Sequence, residues 1–151
     1  MENNPTIFLD IDGVINIITP IYSTQFDTNN ISEPHLIIFL NYICERVNPN
    51  IVLTTSRRDN PEKLIEQLEK EGFLFCDNII GETEINYKKR GEQILDYINE
   101  NNIENYVVID DEISGINGID GKFIPIENVI HTNPMTGLTY QNVEKIINKL
   151  K

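Results

Sequence analysis

The residues best suited to chemistry lie in one short stretch, Ile7-Phe8-Leu9-Asp10-Ile11-Asp12-Gly13-Val14. An apolar run that stops at two acids one residue apart, followed by Gly, predicts a buried strand that delivers two carboxylates to a tight turn. At i and i+2 of a strand the two acids point to the same face, where they repel unless a cation or a shared proton lies between them. The competing reading is that Asp12-Gly13 merely turns a hairpin after a short strand. Two other apolar runs also end in polar groups. Ile51-Val52-Leu53 stops at the hydroxyls Thr54, Thr55 and Ser56, and Tyr106-Val107-Val108-Ile109 stops at the acids Asp110 and Asp111. If the first and fourth strands are neighbours, the four acids meet, and a divalent metal is the economical explanation for such a cluster. All-oxygen ligands favour Mg²⁺ over zinc, and Mg²⁺ characteristically shares itself with a substrate phosphate. A strand-end carboxylate can then attack phosphorus, with Thr54, backbone N–H groups and a lysine donating to the phosphoryl oxygens.

The cations point the same way. Of the twelve Lys and Arg, five fall in Arg57-Arg58 and Lys88-Lys89-Arg90, each just ahead of a predicted helix. Positive charge at a helix N-terminus opposes the macrodipole, and breaking that local rule twice suggests that an anion is expected there. A single surface cation is as readily a solvated side chain, but the group favours an anionic substrate. The formal charge of −12 argues against a surface that grips nucleic acid non-specifically.

The elements that must position these residues alternate. A strand at Ile7–Leu9 leads into a loop over residues 15–31, rich in Thr, Ser and Asn, in which Tyr22 and Phe26 are read as small-core packing rather than stacking residues. Ser32-Glu33-Pro34 then opens a first helix with Ser32 as N-cap and nearly every face apolar. A second strand, 51–56, precedes a helix opened by Asn60-Pro61-Glu62. Phe73-Leu74-Phe75 with Ile79-Ile80 reads as a third, interrupted strand. A helix over 91–102, a strand over 106–111, a second mobile loop over 112–127, a strand over 128–132 and a last helix capped by Thr139 complete the chain. His131 and Thr132 fall at the same edge and read as ordinary strand-end residues. Alternating strands and helices predict an α/β fold with a parallel sheet covered on both faces, as one domain over residues 1–151. No signal pattern or membrane-length apolar run is present, and Cys44 and Cys76 lack metal or disulfide spacing. A soluble, cytoplasmic protein with two free thiols is expected.

In order along the chain, Asp10-Ile11-Asp12-Gly13-Val14, Leu53-Thr54-Thr55-Ser56, Lys89 ahead of a helix and Ile109-Asp110-Asp111 resemble the four motifs of the haloacid dehalogenase-like (HAD) phosphatases. The resemblance implies a Rossmann-like three-layer sandwich on a five-stranded parallel sheet. It implies that Asp10 forms a phosphoaspartyl intermediate and that Asp12 protonates the leaving group and then activates water. It implies also that Thr54 and Lys89 hold the phosphate, with Thr55, Ser56, Arg57, Arg58 and Arg90 as further substrate-binding residues. The implied Mg²⁺ site uses Asp10, the Asp12 backbone carbonyl and Asp110, with Asp111 beside or behind it. Among Lys88, Lys89 and Arg90, the spacing to Ile94 selects Lys89. An acid at position 12 favours a phosphatase over a dehalogenase. Arg90-Gly91-Glu92-Gln93-Ile94 and residues 133–139 look like the small HAD domain of Swiss-army-knife RNA repair proteins, which implies an RNA or DNA end phosphate, or a nucleotide, as substrate. Arg57 stands where that group often has Trp. The connections at 14–32 and 77–87 are too short for a large cap domain, so the expected site is open or covered by a partner subunit. A catalytically quiet HAD-fold binding or regulatory domain is the alternative.

Overall fold

A computed structural model describes residues 3–18, 30–118 and 122–151. Five strands, β1 (Thr6–Leu9), β2 (Asn50–Leu53), β3 (Ile79–Glu82), β4 (Tyr106–Asp110) and β5 (Val129–His131), form one all-parallel sheet in the order β3-β2-β1-β4-β5. Between them run the helices α1 (Pro34–Val47), α2 (Pro61–Lys70), α3 (Arg90–Asn101), α4 (Ser114–Asn117) and, after β5, α5 (Tyr140–Leu150). The chain walks outward from β1 through β2 to β3, then crosses back to β4. The direction of winding therefore reverses between β1 and β4, the switch point at which open α/β sheets bind ligands.

Alternation along the buried strands builds two cores. Ile7, Leu9, Ile51, Leu53, Val107 and Ile109 face α1, α2 and α5, while Phe8, Val52 and Val108 face Ile94 and Ile98 of α3 and Ile116 of α4. Both faces of the sheet are thus covered, giving the α/β three-layer sandwich expected. Each helix has a local reason to start or stop. Pro34 occupies the first turn of α1, the Asn60 side chain accepts from Lys63 N at the start of α2, and Thr139 with Asn142 forms a capping box on α5. Asn48 and Asn102 end α1 and α3 in the left-handed conformation that Asn tolerates.

Four local expectations are corrected. Phe73-Leu74-Phe75 is not strand: Phe73 is a core residue, Cys76–Asn78 forms a short 3-10 turn, and only Ile79–Glu82 joins the sheet. Ser32 does not cap α1, because its N–H and hydroxyl both donate to the Glu71 carboxylate; Glu33 precedes the helix without a side-chain cap. The α1 helix is buried on one side only, with Ile38 and Tyr42 exposed. Residues 112–127, read as a loop, contain the one-turn helix α4 and the start of a 3-10 turn at Ile126–Asn128. Tyr22 and Phe26 lie outside the described residues. Cys44 and Cys76 are free thiols, and no helix among the described residues is long and apolar enough to cross a membrane.

The close approach of α3 to α4 rests on Gly91. A Cβ there would lie 2.0 Å from the Ile116 carbonyl oxygen, a backbone atom that cannot swing aside. Ala is worth about 1 kcal/mol over Gly in a free helix. Overpacking against fixed backbone costs about 1–3 kcal/mol or more and outweighs that gain. Gly91→Ala is expected to lower the thermal midpoint by several degrees, and an unchanged or raised midpoint in a melting experiment would refute the packing argument.

Candidate functional site

The register of the sheet assembles the site before any side chain is considered. Leu9 is level with Leu53 on one side and with Ile109 on the other, so the next residues, Thr54, Asp10 and Asp110, form one row across the switch point. Pairing of Asp110 with His131 extends the row. The backbone ladder runs on past the strands, with Asp10 N donating to Ile109 O at 3.1 Å and Thr54 N to Leu9 O at 3.0 Å. By alternation these side chains continue the Phe8, Val52 and Val108 face, the face covered by α3.

Asp10, Asp110 and Asp111 each offer a carboxylate oxygen, and these atoms lie within 4.8 Å of one another. Asp10 and Asp110 are buried and Asp111 half-buried. Arg90, the first residue of α3, places its Nη1 at 2.8 Å from Asp110 Oδ2 and 3.3 Å from Asp10 Oδ2. One guanidinium thus faces three carboxylates. Burial, and next the Asp110 charge, push Asp10 from its ordinary 3.8 up to about 7 against the pull of Arg90. Burial also raises Asp110, while Arg90 and the Glu112 backbone N–H at 2.9 Å oppose the rise. Burial works against the charge on Arg90, but Asp110 and Asp10 together hold its guanidinium above its usual value. A hard divalent cation fits this all-oxygen, charge-deficient donor set.

Asp12 behaves differently. The strand ends at Leu9, and Ile11 O accepts from Val14 N and Ile15 N, so Asp12 lies in a turn rather than two residues along a strand. Its carboxylate leaves the cluster for Arg57, with Nη2 at 2.9 Å and Nε at 3.1 Å, and for Asn16 Nδ2 at 2.8 Å. Burial raises its pKa, yet the bonds from Arg57 and Asn16 and the Arg57 charge outweigh burial and hold Asp12 below the usual carboxylate range. The turn itself is made by Gly13 at φ 79°, where a Cβ would stand 2.5 Å from Asp111 Oδ2. Only glycine lets Asp111 approach.

The hydroxyl of Thr54 is the one buried side-chain polar atom without a hydrogen-bond partner among the described residues. Such a donor next to a carboxylate cluster is available to the oxygen of a bound ligand or water. Thr55 is buried, and its hydroxyl accepts from Arg57 N, while Ser56 is exposed. Arg58 turns away: it is 6% exposed and does not reach the cleft. Lys88 pairs with Asp96 at 2.7 Å, whereas Lys89 is exposed and lines, with Arg90, Asp110, Glu112 and Ser114, a cleft of about 480 Å³ beside the acids. A second cleft, about 680 Å³, opens on the Arg57 side past Asn60 and Lys63. A third, about 340 Å³, sits at the opposite, N-terminal edge of the sheet, between Thr6, Asn50 and Asn105, and offers no convergent acids.

Several supporting contacts carry no signal in the sequence. Asn16 accepts from Gly13 N at 2.9 Å, Thr132 Oγ1 donates to Gly13 O at 2.8 Å, and His131 Nε2 lies 2.9 Å from Asp111 O. Thr132 and His131 therefore brace the two acid-bearing turns. The contact of Arg90 rather than Lys89 with the acids had a signal, since Arg90, Ile94 and Ile98 recur at four-residue steps and share the sheet-facing side of α3.

Comparison with known proteins agrees with this geometry. No curated protein and no solved structure matches the chain. Residues 6–143 match the family model described as the HAD domain in Swiss Army Knife RNA repair proteins, a match that takes in β1 with its acid turn, the Thr54 hydroxyl, Arg90 and the β4 acids. With nearly its whole length covered, the chain belongs to that HAD domain family.

Proposed function

We propose that this chain is a Mg²⁺-dependent phosphomonoester hydrolase that works through a phosphoaspartyl intermediate on Asp10. The observation that carries the reading is the row Thr54, Asp10, Asp110 across the switch point, in which a buried hydroxyl without a partner stands beside carboxylates in excess of their cations. Asp10, the Asp12 backbone carbonyl and Asp110 would hold the metal, with Asp111 behind them, and the metal would neutralise the nucleophile and the phosphoryl oxygens.

In the first half-reaction an Asp10 carboxylate oxygen bonds to phosphorus as the ester P–O bond breaks. Asp12, protonated at that point, gives its proton to the leaving oxygen. In the second, water attacks phosphorus, its proton passes to Asp12, and the Asp10–phosphorus bond breaks to release inorganic phosphate. Thr54 Oγ1, Arg90, Lys89 and backbone N–H groups after β2 donate to the phosphoryl oxygens, where charge accumulates. Arg57 exchanges Asp12 for the incoming phosphate, which frees Asp12 to move protons. Thr55 and Ser56 shape the turn beneath it. The family's description directs attention to nucleic-acid ends, and the clefts flanking the acids leave room for a phosphate on a larger molecule. The competing reading, a fold kept for binding alone, draws on one observation, the Arg57–Asp12 pair that occupies the proton-moving acid.

Turnover of an aryl phosphate is expected to require Mg²⁺, to fall to background in Asp10→Asn and to fall about 100-fold in Thr54→Val. Full activity in Asp10→Asn would end the proposal, and Mg²⁺-dependent ligand binding without turnover over a broad phosphate panel would favour the binding domain. Within the panel, faster hydrolysis of 3′-phosphorylated oligonucleotides than of mononucleotides or sugar phosphates is expected, and the reverse order would exclude nucleic-acid ends.

A second expectation concerns stability. Because Asp10 titrates higher in the fold than its ordinary 3.8, its contribution is fully present below that value and is lost as pH rises through about 7. A cation at the cluster offsets that loss. Added Mg²⁺ is therefore expected to raise the thermal midpoint little at pH 5 and by several degrees at pH 8, and Asp10→Asn should raise the metal-free midpoint at pH 8. A Mg²⁺ effect independent of pH would contradict the placement of the metal at Asp10.

A further inference from the structure

We infer that Arg58 is a positioning residue of the phosphate pocket, acting with Gln93 as a lock between the turn after β2 and the first turn of α3, and that it makes no contact with substrate. The inference rests on the phosphohydrolase reading above and adds a residue role to it.

Arg57 and Arg58 are adjacent but part company, because they lie in a 3-10 turn, Ser56–Asp59, whose successive side chains point about 120° apart. Arg57 goes out to Asp12, and Arg58 goes in. All five N–H donors of the Arg58 guanidinium are used: Nε to Thr83 O at 2.9 Å, Nη1 to Thr54 O at 3.0 Å and Thr55 O at 2.8 Å, Nη2 to Glu84 O at 3.4 Å and to Gln93 Oε1 at 2.9 Å. Nothing is left for a ligand. Among the described residues no carboxylate pairs with it, so its charge is held by backbone carbonyls and one side-chain amide oxygen.

Those carbonyls belong to the segments that carry the pocket. Thr54 bears the hydroxyl without a partner, and Thr55 O lies at the next residue. Gln93, one turn along α3 from Arg90, passes the connection on: its Nε2 donates to Asn86 O and Oδ1 and to Lys88 O at 3.1–3.3 Å. The chain of bonds runs from the Thr54 turn through one guanidinium and one amide to residues 83–88 and α3. It fixes the spacing between two donors that come from different layers of the fold, the Thr54 hydroxyl and Arg90. For stability alone an apolar side chain of similar volume would avoid the cost of burying a charge. A planar fork with five donors supplies geometry that an apolar residue or a lysine does not.

The test uses the full chain with Arg58→Lys and Gln93→Met, two independent cuts through the same lock, each made alone and together with Thr54→Val. The readouts are thermal unfolding with and without Mg²⁺, kcat and KM on an aryl phosphate, and inhibition by inorganic phosphate. Each folded variant is expected to keep the wild-type Mg²⁺ increment in thermal midpoint, because the acids are untouched. Each should lose between about tenfold and a hundredfold in kcat/KM, with inhibition by phosphate weakened in parallel. In the Thr54→Val background the further loss should be clearly smaller than in the wild-type background, since part of what Arg58 positions is the hydroxyl already removed. Losses that multiply in full with Thr54→Val, or a folded variant with kcat/KM within about twofold of wild type, overturn the lock. If Arg58→Lys does not fold, Gln93→Met decides. A wild-type protein without turnover removes the phosphohydrolase reading itself, whereas an active wild type with unaffected variants removes only the lock.

Discussion

Everything at the C-terminal edge of this sheet answers to the mutual repulsion of Asp10, Asp110 and Asp111. At the 4.8 Å limit of their separation, each ionised pair repels by on the order of 3 kcal/mol at an effective dielectric near 20. A domain of this size is stable by about 5–15 kcal/mol in all. Three full negative charges cannot be left uncompensated on that scale, and Arg90 brings one positive charge to them. The remainder must be a proton or a cation. The rise of Asp10 to about 7 is the proton's share when nothing else is present. A metal would take the proton's place and return Asp10 to the ionised state.

The turn geometry shows how the chain tolerates the repulsion without collapsing away from it. Gly13 removes the Cβ that would hold Asp111 at a distance, Thr132 anchors the Gly13 carbonyl, and His131 meets the Asp111 carbonyl. Asn16 both caps the turn and holds Asp12 aside. These are polar groups at the end of β5 and on the turn itself. They fix backbone, and through backbone they fix carboxylates.

The same physics decides what could be read from the residues alone. Apolar runs that stop at acids or hydroxyls mark strand ends directly, because only a strand's exit leaves the sheet's dry interior; Asp10, Thr54 and Asp110 were legible for that reason. Asp12 was misplaced because the strand stops at Leu9, two residues before Ile11, and Ile11 is buried by the turn rather than by the ladder. Phe73-Leu74-Phe75 imitates a strand since burial of Phe73 needs apolar character and no particular period. The α4 helix was hidden because Gly115 and Gly118 read as loop, while tertiary contact with Gly91 is what holds one turn of helix there. Arg58 was legible as a cation but not as a buried one. Its acceptors come from three separate segments, most of them backbone carbonyls, and no spacing in the sequence reports where carbonyls converge.

Charge distribution bears on what the site can hold. The chain carries −12 in all, and most cations near the cleft are already engaged: Arg57 with Asp12, Lys88 with Asp96, Arg90 with the acids, Arg58 with carbonyls. Among the described residues no carboxylate pairs with Lys89. A polyanion lying along such a surface would meet repulsion over most of its length, because phosphate tracking needs a stripe of free cations. A terminal phosphate pointed into the acid cluster meets the opposite situation, with an unpartnered hydroxyl, a nearby guanidinium and a place for a divalent cation within one row of residues. On the proposed reading, the fold would discriminate by approach, admitting the end of an anion where it would reject the side. That selectivity would rest on the cation that three mutually repelling carboxylates at the switch point are suited to hold.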